Sequence, residues 1–230
     1  MSQQTENISS IRGLHASHIW DYENAYYWFS HPSRINKFLA HFDLYKNIVD
    51  LQGDIVELGV YKATSLIRFA TFRNALENDS TRKIIGFDAF GKFPREDVAG
   101  TDDQAFIESF ENNGGYGLAK AEVEGLMRNK GFDNIELVEG NIFDTVDRYM
   151  KQHPATRIAL LHLDMDVKEP TEFALRHLYD RVVPGGLIVL DDYGAVAGAT
   201  DAADAFAHQH QLSISKSPYN KIPAYFKKPL

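Results

Sequence analysis

Short apolar runs that close on glycine or an acid, alternating with helix-like segments, constrain this chain more than any other feature. Asp54-Ile55-Val56-Glu57-Leu58-Gly59 leads into a helical stretch over Thr64–Leu76. Ile84-Ile85-Gly86-Phe87-Asp88 comes next, then a Gly/Pro/acid-rich loop over 89–103, helices over 106–110 and 119–129 separated by Asn113-Gly114-Gly115, and a strand over 135–138. A strand over 157–164, a helix over 171–181, a Pro184-Gly185-Gly186 turn and Leu187-Ile188-Val189-Leu190-Asp191 complete the series. Runs that are apolar on both faces need cover on both faces, and strands separated by helices run parallel. The sequence therefore predicts an α/β fold with a doubly wound, mostly parallel sheet. Upstream, residues 22–50 read as helical, with Phe38, Leu39, Phe42, Tyr45, Ile48 and Val49 in helix-like spacing. His31-Pro32-Ser33 interrupts this stretch, and Ser33 is the expected cap of the helix after it. Downstream, 212–215 and 224–228 predict an antiparallel C-terminal edge. No repeat or linker divides the chain, so 1–230 reads as one domain, with 1–50 a helical or lid segment on an α/β core over 51–230.

Charge and cysteine content narrow the chemistry. With 24 Lys+Arg against 32 Asp+Glu the net charge is −8, which argues against nucleic acid as the main partner, since phosphate binding needs a basic face. The absence of cysteine excludes disulfides, thiolate zinc sites, iron–sulfur clusters and a thiol nucleophile. The first ten residues are polar, without the basic start and apolar run of a signal peptide, and no run reaches the length of a membrane helix. The expectation is a soluble cytoplasmic protein with no membrane partner.

The polar residues fall in a pattern. Gly59, Asp88, Glu139-Gly140-Asn141, Asp164 and Asp191-Asp192 all sit at or just past C-terminal strand ends, the edge at which open α/β sheets bind ligands. In Glu57-Leu58-Gly59-Val60-Tyr61-Lys62-Ala63-Thr64-Ser65, Gly59 permits a tight turn and the first amides of the next helix face the same edge. A single glycine rules out the G-x-G-x-x-G dinucleotide signature, and the P-loop pattern is missing. Asp88 is placed either to accept hydrogen bonds from two ribose hydroxyls or to cap the next turn. Asp164-Met165-Asp166 and Asp191-Asp192 end strands expected to be neighbours, so their carboxylates can converge. Hard oxygen ligands without His or Cys suit Mg²⁺, Ca²⁺ or Mn²⁺. A solvated acidic loop is the plainer alternative, and glycosyltransferases also use D-x-D to hold a metal and a nucleotide sugar.

On residues 53–65 (GDIVELGVYKATS), 86–94 (GFDAFGKFP) and 161–194 (LHLDMDVKEPTEFALRHLYDRVVPGGLIVLDDYG), the chain resembles the class I S-adenosylmethionine-dependent methyltransferases. Within that class it is most similar to the macrocin O-methyltransferase family, which includes sugar O-methyltransferases of antibiotic pathways. The resemblance spans roughly residues 50–195 and implies a Rossmann-like methyltransferase fold. It places Glu57 and Gly59, with Tyr61 and Ser65 of the same turn, beside the methionine part of the cofactor, Asp88 on the ribose, and Gly140, Asn141, Ile142 and Phe143 around the adenine. Asp164 also counts among the cofactor-binding residues. Asp164, Asp191 and Asp192 become Mg²⁺ ligands and Asp166 the general base. The implied reaction is Mg²⁺-dependent methyl transfer to a sugar hydroxyl, of a nucleotide-linked or glycosidically attached deoxysugar. A catechol-type O-methyltransferase is the runner-up, with a metal-dependent glycosyltransferase or a non-catalytic cofactor-binding module as alternatives. Two departures stand out: Ala63, where glycine is common, is expected to add a methyl near the cofactor, and Lys168 stands where an aromatic is frequent.

Other residues allow more than one reading. Trp20, Tyr22, Tyr26, Tyr27, Trp28 and Phe29 form a lid, an acceptor wall, a dimer contact or a helix packed on the sheet, and they make a homo-oligomer the expectation. Phe90 and Phe93 either close over the cofactor or pack in the core. His31 and His162 are alternative bases, although His162 lies within a buried strand and reads as a satisfied core residue. The loop 95–103 and Gly114, Gly115 and Gly117 mark a mobile segment near the site.

Overall fold

The computed structural model describes residues 7–230. A two-stranded hairpin, β1 (Ser10–Ile11) and β2 (Leu14–His15), precedes helices α1 (Ile19–Phe29) and α2 (Ser33–Lys46). The core then runs β3 (Asp54–Leu58), α3 (Thr64–Leu76), β4 (Ile84–Asp88), α4 (Thr101–Gly114), α5 (Lys120–Asn129), β5 (Ile135–Glu139), α6 (Ile142–Gln152), β6 (Ile158–Leu163), α7 (Lys168–Leu178), β7 (Val182–Leu190), α8 (Ala197–His210), β8 (Ser215–Lys216) and β9 (Ala224–Lys227). The large sheet has the order β5-β4-β3-β6-β7-β9-β8. β5 to β7 are parallel throughout, and β9 and β8 form the antiparallel edge. Residues 1–6 of the polar N-terminal stretch, on which the expectation about a signal peptide rests, lie outside the described residues. Among the described residues no helix is long and apolar enough to cross a membrane.

The two-sided apolar runs exist because side chains alternate across the sheet. Val56, Leu58, Ile85, Phe87, Ile188 and Leu190 pack under α6, α7 and α8, whereas Ile55, Ile84, Leu187 and Val189 pack under α2, α3 and α5. Several sequence expectations need correction. The helical stretch over 22–50 is two helices broken at Ser30–Pro32. Ser33 does not cap the second; it is its first residue, and its hydroxyl pairs with His31 Nδ1 at 2.9 Å. Helix α4 starts at Thr101, inside the expected loop, and runs through Asn113 and Gly114. Pro184-Gly185-Gly186 is not a turn between elements but a bulge inside β7: Ile158 pairs with Val182 and Leu160 with Leu187, so the intervening residues are looped out of register. Helices α6 and α8 were not anticipated.

One buried ionic group ties helix α2 and the segment after it to the sheet. Arg82 donates to the carbonyls of Ile48, Leu51 and Gly53 just after α2, and to Glu77. The Tyr45 hydroxyl donates to the same Glu77 carboxylate at 2.5 Å. Burial, reinforced by Glu77, pushes the Tyr45 phenol far above its usual pKa. Tyr45→Phe removes one buried hydrogen bond to a charged acceptor, so a loss of about 2 kcal/mol in urea unfolding is expected. A loss near zero would mean that Arg82 alone satisfies Glu77.

Candidate functional site

The chain leaves β3 toward β4 and β5, then returns on the other side of β3 as β6. At such a switch in strand order the connecting loops diverge and leave a crevice beyond the strand ends. A cleft of about 550 Å³ opens there, within the usual range for small-molecule sites. Gly59, Tyr61 and Ser65 line it from the first turn, Asp88 from β4, and Gly140, Asn141, Ile142 and Phe143 from the β5–α6 junction. Asp164, Asp166, Asp191 and Asp192 complete the floor. Glu57 is not in the wall. It is fully buried below it, accepts the Ser65 hydroxyl hydrogen bond, and lies 3.3 Å from His162 Nδ1.

The first turn takes its shape from left-handed backbone at Gly59, Tyr61 and Ala63, with φ of 91°, 49° and 59°. In that left-handed conformation alanine at position 63 costs about 1 kcal/mol relative to the glycine that the family resemblance implies there. The Ala63 methyl packs in the apolar core rather than beside a ligand, which corrects the sequence expectation. Asp88 holds the turn in place. Its Oδ2 accepts from the Val60 and Tyr61 amides at 2.8 and 2.9 Å and its Oδ1 from the Phe90 amide at 2.5 Å. A carboxylate offers about four acceptor positions, so Asp88 retains room for one further hydrogen bond rather than the two expected for a ribose.

The acid cluster is electrostatically tense. Asp164, Asp191 and Asp192 each place an oxygen within 4.8 Å of the others, and the Asp166 amide donates to Asp192 Oδ2 at 2.9 Å. Burial, then the charges of Asp191 and Asp192, push Asp164 well above the usual carboxylate range; burial, Asp166 and Asp191 do the same to Asp192. Burial and Asp191 raise Asp166 to about 6. Asp191 goes the other way. Burial raises its pKa, but His162, His41 and the Lys37 ammonium outweigh burial and hold it well below the usual range. Lys37 is in direct contact with Asp191 Oδ2, while His41 Nε2 and His162 Nε2 approach Oδ1 at 3.4 and 3.5 Å. The charge on Asp191 is thus fixed and its neighbours compete for positive charge. Carboxylate oxygens converging from two adjacent strands are a donor set that fits a hard divalent cation, which would take over from the Lys37 ammonium the contact with Asp191 Oδ2.

Lys37, His41, Arg34 and Arg68 also belong to this cleft and were missed in the sequence. The signal was present: Arg34, Lys37 and His41 are spaced by three and four residues on α2 and continue toward its N-terminus the same face on which Leu44 and Tyr45 are buried. Phe93 lines the cleft, whereas Phe90 is buried in the core. Gly115 and Gly117 reach the cleft wall, and the Tyr61 hydroxyl and Lys62 ammonium both donate to Gly114 O. Lys168 opens α7 outside the cleft, its amide donating to Asp103 Oδ2. His31 is exposed, and His162 is only partly satisfied, since its Nε2 has no hydrogen-bond partner among the described residues. Helix α1 neither lines the cleft nor packs on the sheet: Trp20, Trp28 and Phe29 are 73%, 70% and 81% exposed.

The family model for macrocin O-methyltransferase matches residues 34–228. The chain belongs to the macrocin O-methyltransferase family. Its architecture is that of the class I methyltransferases. It is similar to the 8-demethyl-8-(2,3-dimethoxy-alpha-L-rhamnosyl)-tetracenomycin-C 4'-O-methyltransferase of Streptomyces olivaceus, 29% identical over 166 residues, which cover 70% of this chain and 60% of that one. It is also similar to the mycinamicin III 3''-O-methyltransferase of Micromonospora griseorubida, 26% identical over 180 residues, covering 76% and 68%. The chain thus spans under two thirds of the Streptomyces relative's length. The ligand-free structure of a TDP-rhamnose 3'-O-methyltransferase of calicheamicin biosynthesis superposes with a TM-score of 0.67 at 25% identity, covering 91% of this chain and 86% of that one.

Proposed function

We propose that this protein transfers a methyl group from S-adenosylmethionine to a hydroxyl of a sugar, with Mg²⁺ held by Asp164, Asp191 and Asp192. The observation that carries this reading is the joining, in one cleft, of the Gly59–Ser65 turn and the acid cluster in a chain of the macrocin O-methyltransferase family. A relative named as the 4'-O-methyltransferase of a rhamnosyl-bearing tetracenomycin, and a solved relative named as a TDP-rhamnose 3'-O-methyltransferase, support the sugar as acceptor.

The cofactor supplies an electrophilic methyl group on a sulfonium. A divalent cation supplies the Lewis acidity that makes a nearby sugar hydroxyl more acidic. The chain's own residues do the rest. The Gly59–Ser65 turn and the Gly140–Phe143 segment form opposite walls in which an extended nucleoside is oriented. Methyl transfer is an in-line displacement, so much of the rate comes from holding the acceptor oxygen on the correct line. Asp166 stands at the cleft floor beside the metal-ligand acids; its carboxylate accepts the hydroxyl proton as the bond to carbon forms. Asp191, with Oδ1 facing His41 and His162 and Oδ2 in contact with the Lys37 ammonium, is held in a fixed orientation at the cleft floor.

Calorimetry with S-adenosylhomocysteine, with and without Mg²⁺, tests this. Binding is expected in both cases. Mg²⁺ at about 100 times its dissociation constant should add roughly 2.7 kcal/mol of stability. A protein that ignores S-adenosylhomocysteine yet binds a nucleotide sugar only with metal would instead be a glycosyltransferase.

A further inference from the structure

The outer end of the cleft carries positive charge that the fold does not use. Of the stripe that α2 turns toward the cleft, Lys37 and His41 are engaged by Asp191. Arg34, one turn earlier, is not. Arg68, in the second turn of α3, joins Arg34 in the cleft wall. Among the described residues neither guanidinium has a hydrogen-bonded or ion-paired carboxylate, and Arg68 makes only a loose approach to the Phe38 ring, 6.0 Å from its centre. The contrast with Arg73 and Arg82 is sharp: both are buried, and both donate to carboxylates and carbonyls. Arg34 and Arg68 also lie close enough to act on each other. Burial lowers the Arg68 pKa most and the Arg34 charge lowers it further, against the opposing influence of Tyr26, Asp191 and Asp164. Two like charges lining a cleft, neither in direct contact with a carboxylate among the described residues, mark a place where an anion gains from both.

We infer that Arg34 and Arg68 receive a phosphoryl group carried by the substrate, so that the acceptor is a glycosyl phosphate or diphosphate and not a neutral glycoside. The inference rests on the sugar O-methyltransferase reading of the cleft and goes further by naming the substrate class. Guanidinium forks match phosphate oxygens two at a time, which a lysine cannot do. The arrangement also fixes direction. The acid cluster repels an anion from the inner end of the cleft, and the guanidinium pair attracts it to the outer end. A sugar with free hydroxyls on one side and a phosphoryl oxygen at its anomeric carbon then enters one way round, hydroxyls toward Asp166.

The test is calorimetric titration of inorganic pyrophosphate into the full chain saturated with S-adenosylhomocysteine, without divalent cation. Wild-type protein is expected to bind it. Arg34→Gln and Arg68→Gln should each weaken binding about tenfold and the double variant about a hundredfold, while S-adenosylhomocysteine affinity, the check on folding, changes less than twofold. Arg68→Lys should recover only part of the loss. If wild-type protein binds S-adenosylhomocysteine but not pyrophosphate, the inference fails and the methyltransferase reading stands; if it binds neither, the reading beneath it fails. Loss of S-adenosylhomocysteine affinity in step with pyrophosphate would reassign the pair to the cofactor's carboxylate and overturn the inference. Glucuronate binding as tightly as pyrophosphate would overturn the phosphoryl assignment.

Discussion

Asp191→Asn is expected to lower kcat by about three orders of magnitude, roughly 4 kcal/mol in the activation barrier, while leaving S-adenosylhomocysteine affinity within twofold. Of the clustered acids, Asp191 is the one whose negative charge is most secure: Lys37 touches Oδ2, and His41 and His162 face Oδ1. Asp164 and Asp192 are both pushed toward the protonated form, by burial first and by Asp191 second or third. Asparagine has the same shape but cannot serve as an anionic ligand, so the Mg²⁺-dependent rise in Tm should vanish along with activity. In the metal-free protein the same substitution should be nearly neutral. It removes a buried carboxylate from Lys37 and His162, which costs stability, and it also relieves the like-charge crowding of Asp164 and Asp192. Steady-state rates and melting curves at several Mg²⁺ concentrations decide the matter. A variant that retains a tenth of wild-type activity, with an undiminished Mg²⁺ shift, would remove Asp191 from the site.

Much of this could be read from sequence because the parallel sheet writes itself plainly. Strand β4 and helix α3 match their sequence-read boundaries, since two-sided apolar runs and a Gly-containing turn have few other uses. The neighbouring positions of Asp164 and Asp191 came from the same logic, and β6 and β7 do pair. The elements that escaped notice did so for physical reasons. Helix α8 buries Ala199, Ala202, Ala203, Phe206 and Ala207; its stripe is made almost wholly of alanine, whose small side chain carries little hydrophobic signal although it permits close packing on α7. Helix α6 has a clear stripe in Ile142, Val146, Tyr149 and Met150, masked by the turn signal at Gly140 directly before it. The bulge at Pro184-Gly185-Gly186 reads as a turn because those residues encode backbone shape, not whether the strand resumes afterwards. The polar residues Arg34, Lys37 and His41 escaped notice because they lie on the same face of α2 as the buried Leu44 and Tyr45; where that face runs past the core to the ligand edge of the sheet, the same periodicity carries polar side chains instead of apolar ones.

Gly59→Ala should be among the most destabilising single substitutions in the chain, about 4 kcal/mol or more. A Cβ at position 59 would lie 1.8 Å from the carbonyl oxygen of Asp164 and 2.6 Å from its carbon, a distance at which no rotamer offers relief because both atoms are backbone. The φ of 91° adds a second penalty, since a side chain rarely tolerates that region. Asp164 cannot simply retreat. Its amide donates to Leu58 O at 2.9 Å, and Gly59 donates to Phe87 O at 3.0 Å, so β3 is held on both sides at the point of the clash. The strain must be relieved by parting β3 from β6 at the crevice, moving Asp164 relative to Asp191 and the first turn relative to Asp88. Stability and ligand binding should therefore fall together. The expected result is a Tm lowered by more than about 10 °C, with weakened S-adenosylhomocysteine binding below the new transition. Ala63→Gly, four residues later in the same turn, is the control: it removes a methyl from a left-handed position and should be neutral or slightly stabilising. If Gly59→Ala melts within a few degrees of wild type, the close approach of the β3 and β6 ends, on which the geometry of the cleft depends, is wrong.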